Sequence, residues 1–150
     1  MSQHKVMIVD NDANCRAVLC DVLERESYTL LQAADGQQAI DLANKELPDL
    51  ILLDIMMPGI DGIDVLHKLK EQERTRDIAV IMITAFSLDS QVSACLDDGA
   101  ADHICKPFSS VVVRSRVRAA LRARGQRGRA EAANTARQPR SWERALQTIS

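Results

Sequence analysis

Short apolar stretches alternate along this chain with longer segments in which apolar residues recur three and four positions apart. A short, nearly continuous apolar run is typical of a strand that is buried in a parallel sheet. Apolar residues at the longer spacing are typical of an amphipathic helix. The pattern therefore predicts a strand followed by a helix, five times in succession. The predicted strands are 5–9, 28–33, 50–53, 78–83 and 101–105, and the predicted helices are 13–24, 37–45, 62–72, 88–98 and 109–124.

This alternation predicts an α/β fold in which helices cover both faces of a five-stranded parallel sheet. Right-handed crossovers make it a three-layer, doubly wound (βα)5 sandwich. The flavodoxin-like strand order 2-1-3-4-5 is the most economical arrangement of five such units. That order brings the carboxyl ends of strands 1, 3, 4 and 5 to one edge of the sheet. Open parallel sheets carry their functional sites at this edge.

The composition changes this picture mainly at the C-terminal end of the chain. The 150 residues are 46% hydrophobic and 27% charged, which suits one globular domain. Residues 1–124 carry 14 Lys and Arg against 19 Asp and Glu, a net charge of −5. Residues 125–150 carry 5 Arg against 2 Glu, a net charge of +3. We therefore expect a folded domain over 1–124 and a basic, flexible linker or tail over 125–150.

The same composition disfavours several classes of protein. The longest apolar runs are too short to span a bilayer, and no signal-peptide apolar region precedes the first strand. The folded part is acidic and has no recognition-helix module, which argues against direct nucleic-acid binding. The four cysteines lack zinc-type spacing, so we expect reduced thiols in a cytoplasmic protein without a membrane partner.

Polar residues follow four of the predicted strands at the shared edge. Asp10 follows strand 1, Asp54 follows strand 3, Thr84 follows strand 4 and Lys106 follows strand 5. Neighbouring carboxylates repel each other, and a divalent cation or a lysine ammonium relieves that repulsion. Carboxylate and amide oxygens are hard ligands that suit Mg²⁺. Because an aspartate can attack phosphorus and phosphoryl transfer depends on charge neutralisation, the edge favours phosphoryl chemistry at Asp54.

Four segments together resemble the receiver domain of two-component response regulators, the module typified by the bacterial chemotaxis regulator. The resemblance covers roughly residues 4–124 and is specific because all four segments occur together at the family's spacing. The segments are Asp10-Asn11-Asp12, the run Leu-Leu-Asp54-Ile-Met-Met-Pro-Gly-Ile-Asp-Gly, Thr84-Ala85 and Lys106-Pro107-Phe108.

The resemblance implies a role for each of these residues. Asp54 is the phosphoacceptor, which a sensor histidine kinase, a phosphotransfer protein or a small phosphodonor charges. Mg²⁺ is held by Asp10, by Asp54 and by the backbone carbonyl of Met56. The Thr84 hydroxyl moves toward the phosphoryl group. Lys106, whose bond to the following proline is usually cis in the family, pairs with the phosphoryl oxygens.

Two positions depart from the family's pattern. Asn11 stands where the family usually has a second acid that contacts the metal. It still offers an amide oxygen as a metal ligand, or it serves only as a helix cap, and Asp12 has the same two options. His103 stands where the family often has Tyr or Phe, which swings inward on activation. His103 is either a switch residue with a pH-sensitive charge or an ordinary edge-strand residue.

We expect a phosphorylation-dependent switch rather than a dedicated enzyme. Phosphorylation of Asp54 would change the face built by the fourth helix, the fifth strand and the fifth helix. A partner, an output domain beyond residue 150 or a second copy in a homodimer would recognise that face. The arginines of the last helix are either solvated or part of an interaction face. They are Arg114, Arg116, Arg118, Arg122 and Arg124.

Three other functions are compatible with parts of this pattern. A pseudo-receiver would use the same fold as a phosphorylation-independent protein-binding module, and the loss of an acid at Asn11 favours it. An aspartate-nucleophile phosphatase is less favoured, because Met56 stands where those enzymes usually carry a second Asp. A dinucleotide-binding enzyme is less favoured still, because no GxGxxG motif follows the first strand.

Overall fold

The computed structural model describes residues 3–85 and 89–137, together with their side chains except those of 89–92 and 126–137. Strands and helices alternate strictly along these ranges. None of the helices described is long and apolar enough to cross a lipid bilayer. The elements are β1 (Lys5–Val9), α1 (Ala13–Glu24), β2 (Thr29–Ala33), α2 (Gly36–Glu46), β3 (Leu50–Asp54), α3 (Gly62–Glu71), β4 (Ala79–Thr84), α4 (Asp89–Asp97), β5 (Asp102–Cys105) and α5 (Ser110–Arg137).

The five strands form one parallel sheet in the order β2-β1-β3-β4-β5. This confirms the predicted doubly wound α/β sandwich and its strand order. Asp54 pairs with Ile83 of β4, and Thr84 pairs with Cys105 of β5. The register therefore places the polar residues that end β3 and β4 at the same edge of the sheet.

The central strand β3 is buried over its whole length. Ile51 and Leu53 face a core formed with α2 and α3, whereas Leu50 and Leu52 face a second core formed with α1 and α5. Successive side chains of a strand point to opposite faces, so a strand between two cores needs an apolar residue at every position. Burial of each such side chain contributes about 2 kcal/mol. This explains the continuous apolar run that precedes Asp54 in the sequence.

Three of the helices begin with an aspartate cap. The carboxylates of Asp12, Asp35 and Asp61 accept backbone N–H bonds from the first turns of α1, α2 and α3. Such a cap contributes about 1 kcal/mol. The side chain of Asp12 is therefore engaged at the start of α1, which favours capping over metal ligation for this residue.

The last helix continues well past its predicted end at residue 124. α5 runs to Arg137, so residues 125–137 are helical where we expected a flexible linker. Alanine, arginine and glutamate are good helix formers, and a helix already nucleated by docking propagates easily through them. The two glycines in this stretch, at positions 125 and 128, cost roughly 1 kcal/mol each without ending the helix. Residues 138–150 of the predicted tail lie outside the described residues.

Candidate functional site

Four of the polar residues predicted to meet at the carboxyl edge of the sheet lie together there. Asp10, Asp54 and Thr84 are almost fully buried, with exposed fractions of 1%, 3% and 3%. The ammonium nitrogen Nζ of Lys106 lies 3.1 Å from Oδ2 of Asp10 and 3.6 Å from Oδ2 of Asp54. One partly exposed cation therefore faces two buried carboxylates that belong to neighbouring strands.

The backbone around Asp54 fixes where its carboxylate points. The strand continues one bond further, because the N–H of Ile55 donates to the carbonyl of Ile83 (2.9 Å). The N–H of Met56 then donates to Oδ1 of Asp54 at 3.2 Å. The first residue of α3, Gly62, donates its N–H to the carbonyl of Ile55. The chain thus turns back sharply over Asp54, and the carboxylate receives one N–H bond from this turn.

Gly62 is required by this close return of the chain. A Cβ atom at position 62 would lie 2.2 Å from the carbonyl oxygen of Asp54 and 2.8 Å from the Cα of Ile55. These are backbone atoms, which cannot move aside as a flexible side chain would. The glycine three residues after the Pro-Gly turn therefore lets α3 begin directly against the phosphoacceptor candidate.

Thr84 and Lys106 are linked through the backbone. The N–H of Lys106 donates to the carbonyl of Thr84 at 2.7 Å, which extends the β4–β5 ladder by one residue beyond the predicted end of strand 4. The peptide bond between Lys106 and Pro107 is cis, as the resemblance implied. The two residues that follow the predicted strands 4 and 5 are thus held next to each other.

The two carboxylates have different protonation behaviour. Burial raises the pKa of Asp54 to about 6, and the negative charge of Asp10 adds to the shift while Lys106 opposes it. Burial also opposes ionisation of Asp10, but the N–H of Asp12, the Cys15 thiol and Lys106 hold its pKa below the ordinary value. The pKa of Lys106 is raised by the carboxylates although its own burial works against its charge. Asp10 and Lys106 are therefore charged at neutral pH. Of the two carboxylates, that of Asp54 is more basic than that of Asp10.

The donor atoms at this edge fit a hard divalent cation. The carboxylates of Asp10 and Asp54 share one lysine, and burial together with the charge of Asp10 raises the pKa of Asp54 although Lys106 opposes the shift. Asp10 and Asp54 supply only oxygen, the ligand type that Mg²⁺ prefers, and the Met56 carbonyl that the resemblance implies as a ligand would supply another. Among the described side chains, no group of three or more His, Cys, Asp or Glu is arranged to hold a metal. A cation here would therefore depend on backbone and amide oxygens beside the two acids.

Asn11 and His103 lie at the margin of this arrangement. Asn11 is exposed in the loop between β1 and α1. His103 lies on the edge strand β5, where its ring is about one-third exposed and its buried Nδ1 has no hydrogen-bond partner among the described residues. Its Nδ1 lies 3.9 Å from Oδ1 of Asp102, and that oxygen accepts a 2.8 Å bond from Arg116. The switch role of His103 stays a prediction.

The sequence reasoning missed two side chains that contact Asp10. Arg16 donates from Nη1 to the Asp10 carbonyl at 2.5 Å, and the Cys15 thiol hydrogen-bonds to the Asp10 carboxylate. Desolvation, followed by the bond to Asp10, raises the pKa of Cys15 to about 12, so this thiol stays protonated. Both residues lie in the first turn of α1, and their spacing from Asp10 in the sequence only weakly indicated a contact with it.

The basic last helix is mostly engaged within the chain. Arg114 and Arg118 pair with Glu26, Arg116 pairs with Asp102, and Arg124 pairs with Asp49. These pairs join α5 to three different parts of the domain. Most of the arginines that suggested an interaction face therefore hold α5 against its own domain.

The family model for the response regulator receiver domain matches residues 6–118 of this chain. The chain belongs to the response regulator receiver domain family. Receiver domains are signalling domains of two-component systems and not classical enzymes. The strand order, the two buried aspartates and the lysine that follows β5 agree with this assignment.

Individual relatives agree with the family assignment. The chain is 38% identical over 118 residues to the phosphate regulon transcriptional regulatory protein PhoB of Escherichia coli. This match covers 79% of the chain and 52% of PhoB, so the chain spans about half the length of that relative. It is also 38% identical over 118 residues to sporulation initiation phosphotransferase F of Bacillus subtilis, covering 79% of the chain and 94% of the relative.

Solved structures show the same fold. The receiver domain of a Francisella response regulator superposes with a TM-score of 0.75 at 29% identity, covering 81% of this chain and 98% of that one. A response regulator from Desulfuromonas acetoxidans gives a TM-score of 0.73 at 28% identity, covering 80% and 98%. The similarity extends over nearly the whole of both solved chains.

Proposed function

We propose that this receiver domain accepts a phosphoryl group on Asp54 from a sensor histidine kinase or a phosphotransfer protein. Phosphorylation then switches the face formed by α4, β5 and α5. The observation that carries the proposal is the position of Lys106, whose Nζ lies within 3.6 Å of a carboxylate oxygen of both Asp10 and Asp54. Two acids and a lysine at the carboxyl ends of three strands suit the neutralisation of a transferred phosphoryl group.

Asp54 supplies the nucleophile in this reaction. One oxygen of its ionised carboxylate forms a P–O bond while the P–N bond of a phosphohistidine breaks. The bonding electrons leave with the imidazole nitrogen, which takes a proton. A pKa of about 6 leaves Asp54 mostly ionised at neutral pH, with an oxygen more basic than that of an exposed aspartate. Burial therefore favours attack without preventing ionisation.

The neighbouring side chains position and neutralise the transferred group. Lys106 is already drawn toward Asp54 and would pair with the phosphoryl oxygens. Thr84, buried at the end of β4, would donate its hydroxyl to one of them. Mg²⁺ would neutralise charge on the phosphoryl oxygens during transfer. Asp10, Asp54, the Met56 carbonyl and Asn11 would hold it.

The switch would act through the elements that follow Thr84. β4 ends at Thr84, and the adjacent strand β5 carries His103 and is joined to α5 by the Asp102–Arg116 ion pair. A displacement at Thr84 would thus reach β5 and α5 through direct contacts. An attached output domain or a second copy of the chain would bind this face. The name of the relative PhoB, a transcriptional regulatory protein about twice as long as the matched region, supports an attached output domain.

The cytoplasm is the proposed location. All four cysteines lie within the described ranges and are free thiols. Free thiols are typical of a reducing compartment.

Incubation with Mg²⁺ and acetyl phosphate, followed by intact-mass measurement, tests the proposed reaction. The wild-type chain should gain one phosphoryl group, and the matched variant Asp54→Asn should gain none. Asn11→Asp, which restores a carboxylate at the departing position, should react at least as fast as wild type. If only Asn11→Asp forms the adduct, the natural chain acts as a phosphorylation-independent binding module. If neither protein forms the adduct, the proposal that Asp54 accepts a phosphoryl group is wrong.

A further inference from the structure

The side chain of Arg16 connects α1 to the ends of two strands. Its Nη1 donates to the backbone carbonyl of Asp10 at 2.5 Å. Its Nε donates to Oε1 of Gln32, on the neighbouring strand β2, at 3.2 Å. One planar guanidinium therefore bridges the residue that follows β1 and a residue of β2. Such a fixed fork of donors holds geometry better than a single flexible ammonium.

The Arg16 bond adds to other contacts that hold Asp10. The N–H of Asp10 donates to the carbonyl of Ala33 at 3.2 Å, one residue beyond the last residue pair of β1 and β2. Its carboxylate accepts from the Asp12 N–H at 2.9 Å and from Lys106 at 3.1 Å. The carbonyl of Asp10 lies past the last paired residue of β1, where a charged donor from α1 takes the place of a strand partner.

We infer that Arg16 is a positioning residue for the phosphoryl and metal site, acting through the backbone of Asp10. This inference rests on the proposed function. By holding the Asp10 carbonyl against β2, Arg16 fixes the direction in which the Asp10 carboxylate leaves the chain, toward Lys106 and Asp54. It also anchors the start of the loop that carries Asn11. The loop has one acid fewer than the family pattern, so the placement of its remaining carboxylate matters more for cation binding.

The sign of the effect distinguishes positioning from simple electrostatics. Arg16 carries a positive charge close to the residues that would hold a cation. Removing that charge would by itself strengthen Mg²⁺ binding, because like charges repel. Loss of positioning would weaken Mg²⁺ binding instead. A variant without the arginine therefore separates the two effects by the direction of the change.

The test measures Mg²⁺ affinity of the unphosphorylated full chain by isothermal titration calorimetry. Arg16→Ala should raise the Kd for Mg²⁺ roughly tenfold, the usual result of losing a partner that orients a metal ligand. Arg16→Lys keeps the positive charge but loses the planar fork, so it should recover only part of the affinity. Gln32→Ala leaves the bond to Asp10 and should have a smaller effect. The matched control is Arg74→Ala, which removes an equivalent bond from an arginine Nε to a backbone carbonyl, that of Asn44 at 2.9 Å.

Each outcome supports or overturns the inference. A weakened affinity in Arg16→Ala, with partial rescue by lysine and no change in Arg74→Ala, supports the inference. An unchanged or tighter Kd in Arg16→Ala overturns it while leaving phosphorylation of Asp54 in the wild type intact. An equal loss in Arg74→Ala reduces Arg16 to a general stabilising role and also overturns it. Failure of the wild type to bind Mg²⁺ or to form the Asp54 adduct would reject the proposed function together with this inference.

Discussion

Nε2 of His67 lies 2.6 Å from Oδ2 of Asp98 and joins the middle of α3 to the residue that follows α4. The hydrogen bond to Asp98 raises the pKa of His67 above its ordinary value of 6.5; its slight burial works against this, while the charges of Asp98, Asp64 and Glu71 add to it. Nearby, a Cβ at Gly99 would lie 3.3 Å from the side chain of Lys70. Two residues of α3 therefore contact the turn that leads from α4 to β5.

This pair predicts a pH-dependent contribution to stability. Because the pKa of His67 is higher in the folded state, its contribution is fully present below about pH 6.5 and is lost as pH rises through the raised value. The difference in unfolding temperature between wild type and His67→Gln should be larger at pH 6 than at pH 8.5. A difference that is constant across this range would contradict the role of the ion pair.

Asp54→Asn should stabilise the fold at neutral pH. The folded pKa of about 6 lies above the ordinary 3.8, so the ionised Asp54 costs stability that is absent below pH 3.8 and complete above pH 6. The variant should gain about 2 to 3 kcal/mol over wild type at pH 7.5, measured by urea unfolding. The gain should vanish near pH 4. Equal stabilities at pH 7.5 would show that Asp54 is not destabilised by burial.

Lys106→Met should move the pH dependence of phosphorylation upward. Lys106 lowers the pKa of Asp54, so its removal should raise that pKa above 6 and shift the midpoint of the acetyl phosphate reaction to higher pH. The plateau rate should also fall, because the phosphoryl oxygens lose their cation. Rates measured from pH 5 to 9 give both quantities. Lys68→Met, at an exposed position on α3, should leave the midpoint unchanged.

Gly62→Ala should be strongly destabilising. Its new Cβ would collide with the backbone of Asp54, and overpacking of this kind costs roughly 2 to 3 kcal/mol. Gly125→Ala is the matched control, since a Cβ there meets no atom within 4 Å and lies in a helix. That variant should gain about 0.5 to 1 kcal/mol. Urea unfolding of both variants checks the prediction, and a neutral Gly62→Ala would show that α3 shifts easily.

The strand ends were predictable from the sequence because the apolar pattern of most strands ends where the polar residues begin. Four of the five predicted strands are followed directly by a polar residue, and a parallel sheet brings these residues to one edge. The meeting of Asp10, Asp54, Thr84 and Lys106 therefore follows from the order of the residues and the rules of sheet packing. The cap at Asp61 likewise follows from short-range geometry, because its side chain lies three residues from the N–H that it accepts.

Contacts made by long side chains across the fold were not predictable in this way. Arg16 bonds to the backbone of Asp10 and to Gln32 of β2, and the spacing of apolar and polar residues in α1 does not predict either contact. The ring of His67 is about half exposed, yet it binds Asp98, the residue that follows α4. The helical continuation of α5 was missed because two glycines and many charges resemble a linker. The high helix propensity of the other residues, and the earlier turns of α5 that pack against the domain, favour the helix more than the glycines and charges oppose it.

The Arg124–Asp49 ion pair attaches α5 to the sheet at a second place along the helix. α5 starts four residues after Lys106, at the edge of the sheet that carries Asp54. Arg124 binds Asp49, which precedes the first residue of β3 at the opposite edge. The helix therefore runs from one edge of the sheet to the other and contacts the domain near both edges. Its remaining thirteen residues add about 20 Å of continuous helix beyond the second fastening point. If Asp54 is phosphorylated as proposed, a shift of α5 that begins beside Lys106 and breaks the Arg124–Asp49 pair would also move Arg137, because the helix is continuous between them.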